Sequence, residues 1–180
     1  MNATDYLEKH WEPRAVWTHL KWPKHQARLK KCAELVEGLS FCDVGCAFGH
    51  STQIMAGFRP GDWAGLEFSK PAIIKAATLF PSMRWIYLNT AKELPNLAKQ
   101  FDSVVCSEVL EHVDADAEFA KVVVEMARRK AVFTTPTIKV SDPGHLRVYD
   151  LGALEKLFKA WKHKIIREGP FFYIVVTHEL

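Results

Sequence analysis

The stretch Phe41-Cys-Asp-Val-Gly-Cys-Ala-Phe-Gly-His50 decides the fold. Leu39 to Val44 reads as a buried strand, Gly45 to Gly49 as a tight turn, and a helix follows from about Ser51 to Gly57, with Ser51 or Thr52 as its N-cap. A first strand that feeds a first helix through glycines is where a doubly wound sheet receives a nucleotide-like ligand, because glycine lets backbone and ligand approach closely. A dinucleotide fingerprint requires Gly-x-Gly-x-x-Gly. Counted from Gly45, the sixth position here is His50, while Asp43 precedes the first glycine by two and Gly49 follows it by four. That spacing fits a ligand without a pyrophosphate.

Outward from this turn the chain alternates strand and helix. Trp63-Ala-Gly-Leu-Glu67 reads as the second strand, and Ser69 with Pro71 opens a helix through Ala72, Ile73, Ala76, Ala77 and Phe80. Met83 to Leu88 is expected as the third strand, Ala91 to Lys99 as a short helix broken at Pro95, and Ser103 to Ser107 as the fourth strand. Phe119, Val122, Val123 and Met126 recur at helical spacing, so Ala115 to Arg129 is expected as an amphipathic helix capped by Asp114. Ala131 to Thr135 follows as the fifth strand. Leu151, Leu154, Leu157, Phe158 and Trp161 mark a further helix capped by Asp150, and Lys164 to Arg167 and Phe171 to Thr177 are the closing strands. Such alternation implies a largely parallel sheet covered on both faces. Before it, a helix from about Gln26 to Glu37 carries Leu29, Ala33 and Val36 on one face. Its basic residues Lys24, His25, Arg28, Lys30 and Lys31 read as a solvated face.

Length and composition set the frame. A chain of 180 residues, 48% apolar and 25% charged, is expected to form one compact domain. The longest apolar run found near the carboxyl terminus, Phe171 to Val176, is far short of the ~18 residues a bilayer crossing needs, and the first residues carry no apolar signal core. With 24 basic against 21 acidic side chains the net charge is +3, too small to argue by itself for a nucleic-acid or anionic-membrane surface, and a nucleic-acid partner is not expected. Cys32, Cys42, Cys46 and Cys106 lack paired spacing and read as buried thiols of a cytoplasmic protein.

Taken together, Asp43, Gly45, Gly49 and the acidic Glu67 at the end of the second strand point to an adenosine-containing ligand, the carboxylate accepting ribose hydroxyls. From about Ser40 onward the sequence resembles the class I S-adenosylmethionine-dependent methyltransferases. Asp43-Val-Gly-Cys-Ala-Phe-Gly49 is similar to their first motif, with Ala47 where the family usually has glycine, and Glu67 is similar to the second. Phe101 to Val113 is similar to their fourth strand and the loop after it, and Thr134-Thr-Pro136 also matches.

The resemblance implies a Rossmann-like, doubly wound, seven-stranded α/β sheet, mostly parallel with an antiparallel last strand. Residues 1–38 are expected as a helical lid that closes over the cofactor, and 39–180 as the cofactor-binding core. It implies S-adenosylmethionine as cofactor, S-adenosylhomocysteine as product, and a site built from Asp43, Gly45, Cys46, Ala47, Gly49, Glu67, Phe68, Asn89, Thr90, Ser107 and Glu108. Asn89 stands where the family usually carries an acidic residue, and its side-chain oxygen keeps the acceptor.

Methyl transfer from a sulfonium is an in-line displacement, so the protein mainly aligns two reactants and removes a proton from the acceptor. His112 is the expected base, because imidazole titrates near neutral pH, and His145, in Asp142-Pro-Gly-His-Leu-Arg-Val-Tyr149, is the expected acceptor-positioning group. Arg147 and Tyr149 beside it are candidates for an acceptor clamp, though they read more simply as a surface arginine and a half-buried tyrosine. Glu108-x-x-Glu111-His112 with His145 is also similar to the set by which ubiquinone-pathway catechol O-methyltransferases and small-RNA 2′-O-methyltransferases hold a divalent cation. The same run occurs in related methyltransferases without metal, and a metal-free site is the expectation. The expected activity is methylation of a small molecule, at oxygen, by a monomer or homodimer. An RNA-directed methyltransferase, an RNA-binding protein and an inactive cofactor-binding partner subunit are the alternatives.

Overall fold

The structure, a computed structural model, describes residues 18–139 and 144–178. Seven strands form one sheet in the order β3-β2-β1-β4-β5-β7-β6. They are β1 (Ser40–Val44), β2 (Asp62–Glu67), β3 (Arg84–Tyr87), β4 (Phe101–Ser107), β5 (Ala127–Pro136), β6 (His163–Glu168) and β7 (Phe171–Thr177). The first five pair in parallel, and β7 runs antiparallel to both β5 and β6, as the family resemblance implies. No helix of the described residues is long and apolar enough to cross a membrane.

Helices cover both faces because successive strand residues point to opposite sides. Cys42 and Val44 face one layer, made by α4 (Asp116–Met126), α5 (Leu151–Phe158) and the 3-10 helix Ala91–Leu97. Phe41, on the opposite parity, faces α1 (Pro23–Leu35) and α2 (His50–Phe58). A fifth helix, α3 (Lys70–Leu79), starts with the expected Ser69 cap, whose hydroxyl accepts from the Ala72 N–H at 3.4 Å. The described part of the expected lid is thus α1, packed on the sheet with Leu29, Cys32 and Ala33 buried. Residues 1–17 lie outside the described residues.

Several local expectations are corrected. Neither Ser51 nor Thr52 caps α2: its N-cap is Gly49 at φ 81°, and both hydroxyls donate to Asp43 Oδ2, at 2.8 and 2.7 Å. Asp114 does not cap α4, which begins at Asp116 after Ala115. The helix ends at Met126 rather than Arg129, because β5 starts early to pair Ala127 with Phe101, and Arg128 reaches Asp102 at 3.0 Å. Nor is α1's basic face wholly solvated. His25 and Arg28 share its buried face, one helical repeat apart from Leu29 and Cys32.

Asp43 ties β1 to α2 from inside the core and is 2% exposed. Burial pushes its carboxyl up to about 6 against the opposing pull of the two hydroxyls. The sign follows directly: between the ordinary 3.8 and about 6 the folded chain holds a proton that the unfolded chain releases, so this group's contribution to stability falls as pH rises through that window. Asp43→Asn keeps an acceptor oxygen without the charge. Its stability relative to the parent, measured by urea unfolding, should therefore rise between about pH 4 and 6, by up to roughly 3 kcal/mol. A pH-independent difference would contradict this account of Asp43.

Candidate functional site

The turn leaves β1 at its carboxyl end, and the Gly45 and Cys46 N–H groups donate to the Leu66 carbonyl of β2, at 2.9 and 3.1 Å. Gly45 is at φ 77°, and a Cβ there would lie 2.5 Å from Val109 Cγ2 in the loop after β4. Gly49 is likewise left-handed, and a Cβ on it would lie 2.3 Å from the Trp85 ring. Both glycines are thus required by backbone conformation and by the approach of neighbouring side chains. Ala47 adopts φ 47°, a cost of about 1 kcal/mol for an alanine.

Glu67 compensates that strain. Its Oε2 accepts the Ala47 N–H at 2.8 Å, and Oε1 accepts the N–H groups of Phe68 and Ser69 at 2.7 and 2.9 Å. Burial raises its pKa, and the three backbone donors pull it down. A carboxylate offers about four lone-pair directions, so acceptor capacity remains for a hydroxyl. Beside it, Tyr87 OH donates to Asn89 Oδ1 at 3.0 Å, and Thr90 forms a capping box with Glu93 at the start of the 3-10 helix. Asn89 and Thr90 stand after β3, at the carboxyl edge where the sequence places them, with these side-chain contacts serving the local turn. Cys46 is buried, and all four cysteines are free and buried, the Cys32 thiol pushed up to about 12 by burial.

The loop after β4 carries the reactive candidates. Glu108 is left-handed at φ 58°; its Oε1 accepts from the Thr134 hydroxyl at 2.9 Å, and its Oε2 lies 3.2 Å from Arg28 Nη1. Ser107 Oγ is 2.9 Å from the same threonine hydroxyl. The loop then turns through a 3-10 helix, Leu110–His112, that buries Glu111 completely. Burial, and next the charge of Glu108, raise the Glu111 pKa well above the ordinary glutamate value.

His145 is delivered from far along the chain. The Leu146 N–H donates to the Glu111 carbonyl at 2.9 Å, and Asp116 at the start of α4 receives both the Tyr149 hydroxyl and Arg147 Nη1 at 2.7 Å. These bonds seat His145 edge-on to His112, with ring centroids 4.5 Å apart, and place its Nε2 3.9 Å from Glu111 Oε1. Arg147 and Tyr149 therefore anchor the segment, in line with their structural reading, with Tyr149 buried rather than half-buried. The ligand atoms of Glu111, His112 and His145 lie within 4.8 Å of one another, close enough to hold a cation, while Glu108 is engaged by Arg28 and Thr134. Arg28 was hidden in a lysine-rich helix; the spacing of His25, Arg28, Leu29 and Cys32 on one face was the signal for it.

Residues 42–131, half of the chain, match the family model described as a methyltransferase domain. The mitochondrial ubiquinone biosynthesis O-methyltransferase of Arabidopsis thaliana is 33% identical over 104 residues, which cover 54% of this chain and 32% of that protein. The chain thus spans about a third of the length of that curated relative. Magnesium protoporphyrin IX methyltransferase of Synechocystis PCC 6803, solved with bound S-adenosylhomocysteine, superposes with a TM-score of 0.69 at 14% identity, covering 98% of both chains. The PH0226 protein of Pyrococcus horikoshii gives 0.73 at 15% identity, over 99% of this chain and 100% of its own. With the matched region lying across β1 to β5 and the described strands ordered as one doubly wound sheet, the chain belongs to the methyltransferase-domain family, of the class I S-adenosylmethionine-dependent type.

Proposed function

We propose that this chain transfers the methyl group of S-adenosylmethionine to an oxygen nucleophile of a small-molecule acceptor. The observation that carries the cofactor assignment is the Glu67–Ala47 bond, 2.8 Å, which sets a buried carboxylate with spare acceptor capacity beside a left-handed turn at the carboxyl end of β1. This donor and acceptor set fits a nucleoside joined to an amino acid. Glu67 would accept a ribose hydroxyl, Asn89 and Thr90 would flank the base, and the turn from Asp43 through Gly45, Cys46 and Ala47 to Gly49, with Phe68, Ser107 and Glu108, would line the remainder. When bound, the cofactor supplies a sulfonium-activated methyl group for displacement. The chain's own part is to hold the acceptor in line and take its proton. His112 serves as that base and His145 as the group that orients the acceptor. The Arabidopsis relative, an O-methyltransferase of ubiquinone biosynthesis, supports oxygen as the nucleophile. A second reading, favoured by the convergence of Glu111, His112 and His145, places a divalent cation there to lower the acceptor's pKa.

Two measurements test these assignments. Calorimetry with S-adenosylhomocysteine should show Glu67→Ala binding about 10- to 150-fold more weakly than the parent, the loss of charge-assisted acceptor contacts worth about 1.5–3 kcal/mol. Equal affinities would remove the ribose from Glu67. Labelled S-adenosylmethionine should then be offered with a panel of phenols and catechols, with and without magnesium or chelator, and with RNA in parallel. The expected outcome is chelator-insensitive methylation of a small-molecule oxygen, reduced by about two to four decades in His112→Ala. Chelator sensitivity would select the cation, label on RNA alone would select an RNA-directed enzyme, and cofactor binding without any transfer would select a partner subunit.

A further inference from the structure

Arg28 stands out among the charged residues of the fold. It is 4% exposed, and it is the only lysine or arginine buried among the described residues. From α1 it reaches across to the loop after β4, with Nη1 3.2 Å from Glu108 Oε2, and its guanidinium lies 4.9 Å from the centroid of the Phe171 ring at the start of β7. Its positive charge also acts on buried Asp43 and Glu111. The carboxylate it contacts, Glu108, follows the end of β4, and the cation comes from α1. Glu108 itself is held in a left-handed conformation that side chains rarely adopt. A backbone of that kind persists only where its surroundings over-determine it. Here the determinants are Arg28 on one carboxylate oxygen, Thr134 on the other, and the Glu108 N–H bonded to the Thr134 carbonyl at 3.1 Å.

Resting on the function proposed above, we propose that Arg28 is a positioning residue for the transfer: by pairing with Glu108 it fixes the entry of the Glu108–His112 loop, and with it the place of His112. Arg28 touches neither reactant in this role and acts through Glu108. A lysine ammonium could pair with Glu108 but lacks the planar guanidinium that lies against the Phe171 ring, so the guanidinium and not merely its charge is required.

The test is a double-mutant cycle on the full chain, read by turnover of a catechol acceptor, by S-adenosylhomocysteine affinity and by thermal unfolding. Arg28→Gln should lower kcat at least tenfold while changing the acceptor KM less than threefold, and Arg28→Lys should recover only part of the loss. The double variant with Glu108→Gln should lose no more than Glu108→Gln alone. A folded Arg28→Gln with parental kcat, or strictly additive losses, would overturn the proposal. Should Arg28→Gln fail to fold, Glu108→Gln interrogates the same contact from its other side, and parental kcat there overturns the proposal equally. A parent chain that binds no S-adenosylhomocysteine removes the underlying function together with this role, whereas a parent that binds and turns over beside an unaffected Arg28→Gln removes this role alone.

Discussion

Burying carboxylates at the ends of parallel strands is the constraint on which the rest of this site depends. An ionised carboxylate taken out of water is costly unless donors replace the lost solvent. Each acidic group here has its own solution, and each solution places an element. Asp43 takes the Ser51 and Thr52 hydroxyls and so docks α2 on β1. Glu67 takes three backbone N–H groups and so shapes the turn. Glu108 takes Arg28 and Thr134, joining α1 and β5 to the loop after β4. Glu111, buried and beside the charge of Glu108, has its pKa raised well above the ordinary value.

The same economy explains the local departures from simple capping rules. Hydroxyls at positions two and three of α2 are good N-cap residues in isolation. In the fold they satisfy a buried acceptor, whose desolvation outweighs a cap that a glycine can replace with little loss. Asp116 likewise lies in the first turn of α4, where its charge suits the helix end, and it also binds Tyr149 and Arg147. That double use brings a histidine from the segment before α5 to the edge of His112.

The succession of strands and helices along the chain, the glycine turn and the residues at the strand ends were legible because each rests on local pattern: the period of apolar residues, the punctuation by glycine, the acidic residue ending β2. The reversal of β7 came from family resemblance, since nothing in Phe171 to Thr177 distinguishes a parallel from an antiparallel buried strand. The pairing of His145 with His112 had no local signal, because it is made by Leu146, Arg147 and Tyr149 acting on distant partners. Arg28 was legible in principle, since it falls on the same helical face as Leu29 and Cys32, but a helix dense in lysine reads as solvated until the carboxylate it meets is known.

The central claim is that Glu67 and the Asp43–Gly49 turn form the cofactor's seat. A crystal structure of the chain grown with S-adenosylhomocysteine tests it most directly. The account predicts a ribose hydroxyl within hydrogen-bond distance of Glu67 and the amino-acid half of the ligand against Gly45 to Gly49. Ligand bound elsewhere, or bound with Glu67 contacting only Ala47, Phe68 and Ser69, would contradict it.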